Sequence, residues 1–421
     1  MVRYPIGEKC LAVGIILLFI GTCIIPAIAQ DAEKILPASR GDWLYVGGSG
    51  LGNYTRIQDA IDNTTDGDTV YVFPGIYNER IRINNSIQLQ GADPLTTIID
   101  GQNTSNDILT CVGTDAVISG FTIFNCSMSH SCILINQTVN CTLYGNIIHT
   151  GGYGVTVQNA QNISIINNTF LQIRTTKTGY IAITLNNCIF STFSQNKISS
   201  WDGGILIKGT HLRITQNTIT NTHRGITDMM NSLPFANKYF IIDENHLNNN
   251  KVAIFLAGSR DYSITRNEIT NSTTVGLYMV EEVFAGDNPE NITIKDNLIT
   301  YSAQGMVVEN SINMSIEGNH IQHNTLGLSF LYSSFTSVKR NTFQDNTETV
   351  VYQWAFFPFS RFNYKVPQFD MNFWDRPRGP PYPIAGRWGL HKPWFFFSPI
   401  NIFPWVTFDW HPAQEPYDIG G

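Results

Sequence analysis

Charge is what this 421-residue sequence has least of: Asp, Glu, Lys and Arg make up 14%, the formal net charge is −7, and no run of Lys or Arg occurs. A nucleic-acid surface needs a basic patch or stripe, so DNA and RNA are excluded as partners. Cysteine is equally uninformative as a framework. Beyond the first 29 residues five remain, Cys111, Cys126, Cys132, Cys141 and Cys188, and an odd count at irregular spacing describes neither a disulfide scaffold nor a zinc site. Cys126 and Cys132 flank a short insertion that a bridge between them would close; the others read as small buried hydrophobes. Between residues 118 and 343 no apolar side chains recur with helical period, so helix bundles are excluded. Past residue 29 no apolar run is long enough to span a bilayer.

What is present is a phrase that returns. Asn-x-apolar occurs at Asn146, Asn168, Asn196, Asn217, Asn245, Asn267, Asn297, Asn319 and Asn341, with Phe121-Thr122-Ile123 as a first copy lacking the Asn. Successive anchors lie 25, 22, 28, 21, 28, 22, 30, 22 and 22 residues apart, a fixed period with insertions that marks a solenoid. Three residues before each anchor stands an apolar side chain, such as Ile214, Ile242, Ile264 or Ile294. A small residue and an apolar-x-apolar run follow the anchor, as in Gly204-Ile205-Leu206-Ile207. Three short alternating runs per period, separated by Asn and Gly, read as strand, turn, strand, turn, strand. Stacked in register, they predict an all-β, right-handed parallel β-helix with coils about 4.8 Å apart. The anchor Asn is expected to take the left-handed backbone of a corner and to form a side-chain ladder, so that Asn217→Ala would cost only about 1 kcal/mol. Leucine-rich repeats would need Leu-dominated spacing and a helical or irregular return, and an outer-membrane barrel would have no reason to keep Asn in phase.

The ends differ from the middle. Residues 1–29 have a basic start, an apolar run from Cys10 to Ile28 and Ala27-Ile28-Ala29 before Gln30, the pattern of a secretory leader. The alternative is an uncleaved N-terminal anchor; either way the remainder is expected outside the cytoplasm, secreted or at the cell surface. Residues 30–42 read as a linker. Thr55 to Asp62 reads as a short helix with Thr55 and Gln58 at capping-box spacing, plugging the open end of the solenoid. Residues 43–350 are the expected β-helix. Residues 351–421 hold eleven of the 18 prolines and six of the eight tryptophans, too many prolines for central strands and too many aromatics for disorder. They are expected to form a strap over the last coils, covering outward residues such as Leu206, Phe255, Tyr278 and Val307, or else a recognition surface.

The helix at Ile57, then Asp66-Gly67-Asp68-Thr69-Val70, Pro74-Gly75-Ile76-Tyr77-Asn78-Glu79 and Thr97-Ile98-Ile99-Asp100-Gly101, followed by Asn-anchored coils, resemble the pectin-lyase-like superfamily. Within it the chain is most similar to the NosD-like parallel β-helix repeat proteins of archaeal and bacterial surfaces. The resemblance implies the fold; it does not select a chemistry, because the superfamily contains lyases, esterases, hydrolases, epimerases and non-catalytic members.

Carbohydrate-active β-helices carry their groove on one outer face. The candidate here is a column before one strand of each coil: Trp201-Asp202, then His223-Arg224, then Asn250-Lys251. An aromatic beside an acid, an imidazole and a guanidinium suits a sugar site. Asp228 falls where other coils place Val157, Ile207 or Leu256, and an inward carboxylate is costly unless partnered, so a local kink turning it outward is the plainer expectation. It opens an insertion, Met229 to Tyr239, and a second insertion, Val280 to Glu290, leaves the same corner two coils later; together they would frame a cleft. The residue sets of the pectin methylesterases, polygalacturonases and alginate epimerases are missing, and no two facing acids for glycoside hydrolysis can be paired. The expected function is therefore an extracytoplasmic, non-catalytic surface-structural or carbohydrate-binding protein without a cofactor. The alternatives are a polysaccharide lyase or glycoside hydrolase, and a copper-binding accessory protein as the NosD resemblance implies. For the last, His320 with His323 and Met229 with Met230 are the nearest soft donors, and no metal ligand is assigned. Expected partners are a polysaccharide or cell-surface glycan. Sequons at Asn53, Asn63, Asn136, Asn162, Asn271, Asn291 and Asn313 would accept N-glycans in such a location.

Overall fold

The computed structural model describes residues 41–418 apart from 151, 173–178, 229–237, 259, 282–287, 357–366 and 391–399. The expected leader, the linker through residue 40 and most of both insertions lie outside them. Among the described residues no helix is long and apolar enough to cross a membrane.

Each coil has three strands. One example runs through Val252–Ala257, Ser263–Thr265 and Glu268–Thr270, and the next through Val275–Val280, Glu290–Lys295 and Leu298–Thr300. Every strand pairs in parallel with its counterpart one coil away: Ile254 with Leu277, Ile264 with Ile294, Ile269 with Ile299. The strands that follow the anchor Asn form their own sheet, 13 strands among the described residues, from Gly75–Tyr77 to Phe373–Trp374. The pattern arises because Ile, Val and Leu alternate with Thr, Ser and charged residues, and only stacking buries the apolar members. Ile214, Ile242, Ile264, Ile294 and Ile316 form one fully buried column, and Ile219, Leu247, Ile269, Ile299 and Ile321 another.

The asparagine ladder is built differently from the expectation. The left-handed residue is the one before the anchor: Gln195, Gln216, Glu244 and Arg266 have φ of 56°, 57°, 53° and 49°. That corner leaves the anchor itself in ordinary backbone and points its side chain into the core. Asn217 Oδ1 accepts the Asn196 main-chain N–H at 3.0 Å, and Asn217 Nδ2 donates to the Phe193 carbonyl at 2.9 Å. The same bonds recur from Asn146 to Asn372, with every anchor buried.

At the N-terminal end the helix Ile57–Asp62 turns Ile57, Ala60 and Ile61 into the core. No side chain of its own caps it, so the expected capping box does not form. Instead the nearly buried Glu79 carboxylate accepts Ile57 N–H at 2.9 Å and Gln58 N–H at 3.1 Å, where the helix presents unpaired donors and the positive end of its dipole.

At the other end the coil grammar runs past residue 350, contrary to the boundary expected there. Glu348–Phe356, Gln368–Asp370 and Phe373–Trp374 stack as another coil. Tyr382–Leu390 then pairs with Glu348–Phe356 and turns into an antiparallel hairpin with Ile400–Asp409. Two of the prolines lie within this hairpin, Pro383 opposite Phe408 and Pro404 opposite Arg387. The last described residues return along the final coils, with Tyr417 N–H on Thr342 Oγ1 at 3.0 Å and Tyr417 Oη on the Met371 carbonyl at 2.6 Å. The described tail makes its contacts there rather than on Leu206, Phe255, Tyr278 and Val307. Phe255, Val307 and Tyr278 instead pack together on the outer face with Val252 and Val275.

All five described cysteines are buried. Cys126 donates to the His130 carbonyl at 2.9 Å rather than bridging to Cys132, and the Cys111 and Cys141 sulfurs lie 3.7 Å apart.

Candidate functional site

The structure brings together three of the five expected site residues. Asp202 sits at the corner leading into Gly203–Ile207, and its main-chain carbonyl receives both His223 N–H and Arg224 N–H at 3.0 Å. Asp202 is thereby held directly below His223, whose Nδ1 lies 3.4 Å from Asp202 Oδ1. The other carboxylate oxygen accepts the Gly179 N–H at 2.7 Å. Arg224 begins the strand Arg224–Asp228, and its guanidinium lies 4.4 Å over the Phe255 ring of the next coil, a cation–π contact. His223 and Asp202 are part-exposed, so their attraction is screened and worth little to stability.

Trp201 does not belong to this group. It is only 1% exposed and its indole nitrogen has no hydrogen-bond partner among the described residues. The reason is register. Trp201 follows the left-handed Ser200, as Thr222 follows Asn221 and Asn250 follows Asn249, and this corner position points inward in every case. Trp201 therefore aligns with Thr222 and Asn250, not with His223, and cannot offer a face to a sugar. Asn250 is likewise structural: its Oδ1 accepts Thr222 N–H at 3.0 Å and its Nδ2 donates to the Ile219 carbonyl.

Asp228 is inward and 1% exposed, which corrects the expected outward kink. It pairs in register with Ile207. Its carboxylate is partnered, accepting Ala257 N–H at 2.6 Å and facing Tyr262 Oη at 3.5 Å. An acidic side chain in that position thus serves as a corner hydrogen-bond acceptor.

The sequence motifs do not mark a second polar cluster. On the outer face, Tyr278 stands beside the Glu309 carboxyl; burial pushes Glu309 above the usual carboxylate range, and the neighbouring phenol partly offsets the rise. Burial raises the Tyr278 phenol well above its ordinary value, with Glu309 adding to it, and burial with Glu309 nearby pushes Tyr332 up to about 12. Strict alternation could have found it: Tyr278 and Val307 share an outward column, and Glu309 is two residues on from Val307.

Among the described residues the soft donors are not gathered as a copper site would need. The described cysteines are core residues. His323 stacks on Tyr301 at 5.0 Å and stands 3.7 Å from Asp345, while His320 is half-buried on the outer face of its strand. No group of three or more His, Cys, Asp or Glu capable of holding a metal occurs among the described residues; Met229 and Met230 lie outside them. Four sequon asparagines, Asn162, Asn271, Asn291 and Asn313, donate their amide nitrogens along exposed corner ladders.

Three-stranded coils stacked in parallel around an apolar core, cornered by a buried asparagine ladder, define a right-handed parallel β-helix of the pectin-lyase-like class. The family profile described as "Periplasmic copper-binding protein (NosD)" matches residues 61–240 and 117–286, and "Right handed beta helix region" matches 235–356. The chain belongs to the NosD-like β-helix repeat proteins. Among curated proteins it is 32% identical over 97 residues to a cell surface glycoprotein of Methanothermus fervidus, a stretch that spans 23% of this chain and 16% of that one. Among solved structures it is similar to a mannuronan C-5 epimerase A-module of Azotobacter vinelandii, with a TM-score of 0.60 and 16% identity over 70% of this chain and 90% of the other. It is similar also to a polygalacturonase of Erwinia carotovora, with a TM-score of 0.52 and 13% identity over 66% of this chain and 92% of the other. At these identities the likeness is one of fold.

Proposed function

We propose that this chain is an extracytoplasmic β-helix that binds a cell-surface or extracellular glycan without turning it over. The observation that carries the reading is that the groups an acid–base mechanism would need are already engaged. The Asp202 carboxylate is held by Gly179 and set against His223, the Arg224 guanidinium lies on Phe255, and the Asp228 carboxylate is buried against Ala257 and Tyr262. Such groups shape a rigid polar surface on a stiff scaffold. The extracytoplasmic location is supported by the periplasmic family description and the cell-surface relative. A glycan as partner is supported by the similarity to a mannuronan epimerase and a polygalacturonase.

One observation favours a second reading, a polysaccharide lyase or hydrolase. A carboxyl whose acidity burial weakens, set beside a tyrosine as Glu309 is beside Tyr278, is an arrangement suited to donating a proton. Incubating the full chain with acidic and neutral polysaccharides separates the two. Retention without unsaturated products or new reducing ends is expected; turnover lost on Glu309→Gln or His223→Ala would establish the enzyme instead.

A further inference from the structure

The exposed corner between the long strand and the strand before the anchor Asn is left-handed in coil after coil. Asn140, Asn162, Asp261, Asn291 and Asn313 occupy it with φ of 61°, 54°, 60°, 56° and 56°. These short polar residues tolerate that backbone and bond to one another, as Asn162 Nδ2 does to Asn140 Oδ1 at 2.6 Å. Three consecutive coils break the rule with Phe190, His211 and Tyr239, at φ of 51°, 56° and 59°. Phe335 departs from it as well, at 54°, but the coil before it carries Asn313 rather than a ring. Bulky side chains are disfavoured there, and the corner does not need them, since its main-chain bonds persist: Phe190 N–H reaches the Thr210 carbonyl at 3.2 Å and His211 N–H the Lys238 carbonyl at 3.0 Å. Strained residues that the fold does not require point to a function.

The three rings stack with centroids 4.7 Å apart, and Phe190 and Tyr239 remain 53% and 52% exposed. One concavity takes in two of the rings, and another opens among the residues that precede Phe190 and His211 in the chain. One, of about 550 Å³, is lined by His211, Tyr239, Arg213, Ile241, Asp261 and Asn291 among others, so it reaches from the rings to the following coils. The other, of about 530 Å³, is lined by Asn187, Ile189, Lys208 and Thr210 among others. Both volumes fall in the range of small-molecule sites, and an apolar floor with a few convergent polar groups is their usual composition. The Arg213 side chain is exposed and makes no ion pair among the described residues.

We infer that the Phe190–His211–Tyr239 stack and the cavity beside Tyr239 form a saccharide subsite, in which a pyranose ring lies on the aromatic edge while Arg213 and Asn291 donate to its hydroxyl or carboxylate oxygens and Asp261 accepts from its hydroxyl groups. An aromatic surface suits the apolar C–H face of a sugar, and a guanidinium and an amide suit its oxygens. This rests on the glycan-binding reading and moves the ligand from the Asp202–His223 corner to a different side of the coil.

The test is binding of neutral hexose and acidic hexuronate tetrasaccharides to the full chain, measured by calorimetry, with melting temperature recorded for each variant. Tyr239→Ala and Arg213→Ala are each expected to weaken binding at least tenfold with unchanged melting, and Tyr239→Phe to stay within about twofold. Tyr301→Ala, which removes an exposed left-handed aromatic at a different corner, is expected to bind as the parent. A tetrasaccharide bound only in its acidic form, with Arg213→Ala the most damaging variant, would identify the ligand as a uronate; binding of both forms would identify the ring itself. Binding that survives Tyr239→Ala and Arg213→Ala overturns the subsite while leaving the glycan-binding reading intact. No binding of any tetrasaccharide or polysaccharide by the parent overturns both.

Discussion

Asp409 stands where the next asparagine of the ladder would be, and one of its oxygens takes both the main-chain N–H of Asn372, at 2.9 Å, and its Nδ2, at 3.1 Å. Trp374 Nε1 reaches the same oxygen at 2.9 Å, and Met371 N–H and His411 N–H take the other at 3.2 Å and 3.1 Å. A buried carboxylate is tolerable only with partners, and here five donors surround it. The ladder thus ends on a charged acceptor supplied by the hairpin.

Removing that acceptor should open the last coil alone. Asp409→Ala leaves several buried donors unpaired, at about 3 kcal/mol. Hydrogen exchange should show residues 368–374 losing protection while residues 240–256 and 290–300 keep theirs. Uniform loss, or none, would mean that Asp409 does not terminate the ladder.

Within the ladder, the two corner residues should respond in opposite ways. Asn217→Ala strands the Asn196 N–H and the Phe193 carbonyl in the core, so a loss of about 3 kcal/mol is expected rather than about 1. Gln216→Gly, at φ of 57°, relieves left-handed strain and should be neutral or stabilising by up to about 1 kcal/mol. Chemical denaturation of the two variants distinguishes the anchor from the left-handed position.

Glu79 joins the helix to the first coils. Glu79→Ala should cost about 1 to 2 kcal/mol by removing the acceptor for Ile57 and Gln58 N–H, and Glu79→Gln less. Protection of the amides of residues 57–62 measures it, and unchanged protection would contradict the cap.

Glu309 gives the pH dependence. Its folded value is raised by burial, so its contribution is complete below the unfolded carboxylate value and is lost as pH rises through the raised folded value. Glu309→Gln should flatten that part of the stability curve and melt higher than the parent at neutral pH. A parallel curve for parent and variant would place Glu309 in ordinary solvent.

The period, the inward columns and the ladder are legible in the sequence because each is a local spacing repeated coil after coil. The left-handed corner lies one residue earlier than the spacing suggests: Gln216, Glu244 and Arg266 hold it, and nothing in those residue types announces the conformation, whereas the Asn that follows each of them is conspicuous. The same one-residue ambiguity at the other corner makes Trp201 look exposed. Asp409 is hidden because it lies 37 residues beyond Asn372, across a proline-rich hairpin whose pairing no spacing announces. The Tyr278–Glu309 contact depends on the register between coils of unequal length, and the Phe190–His211–Tyr239 stack on insertions that change the spacing between rungs.

The central claim is binding without turnover, and one experiment addresses it directly. The full chain is held overnight with the polysaccharide it retains best, and the recovered glycan is compared with untreated glycan by mass spectrometry and by NMR of its ring protons. The account predicts saturable retention and an unchanged glycan; shortened chains, unsaturated ends or inverted ring carbons would contradict it.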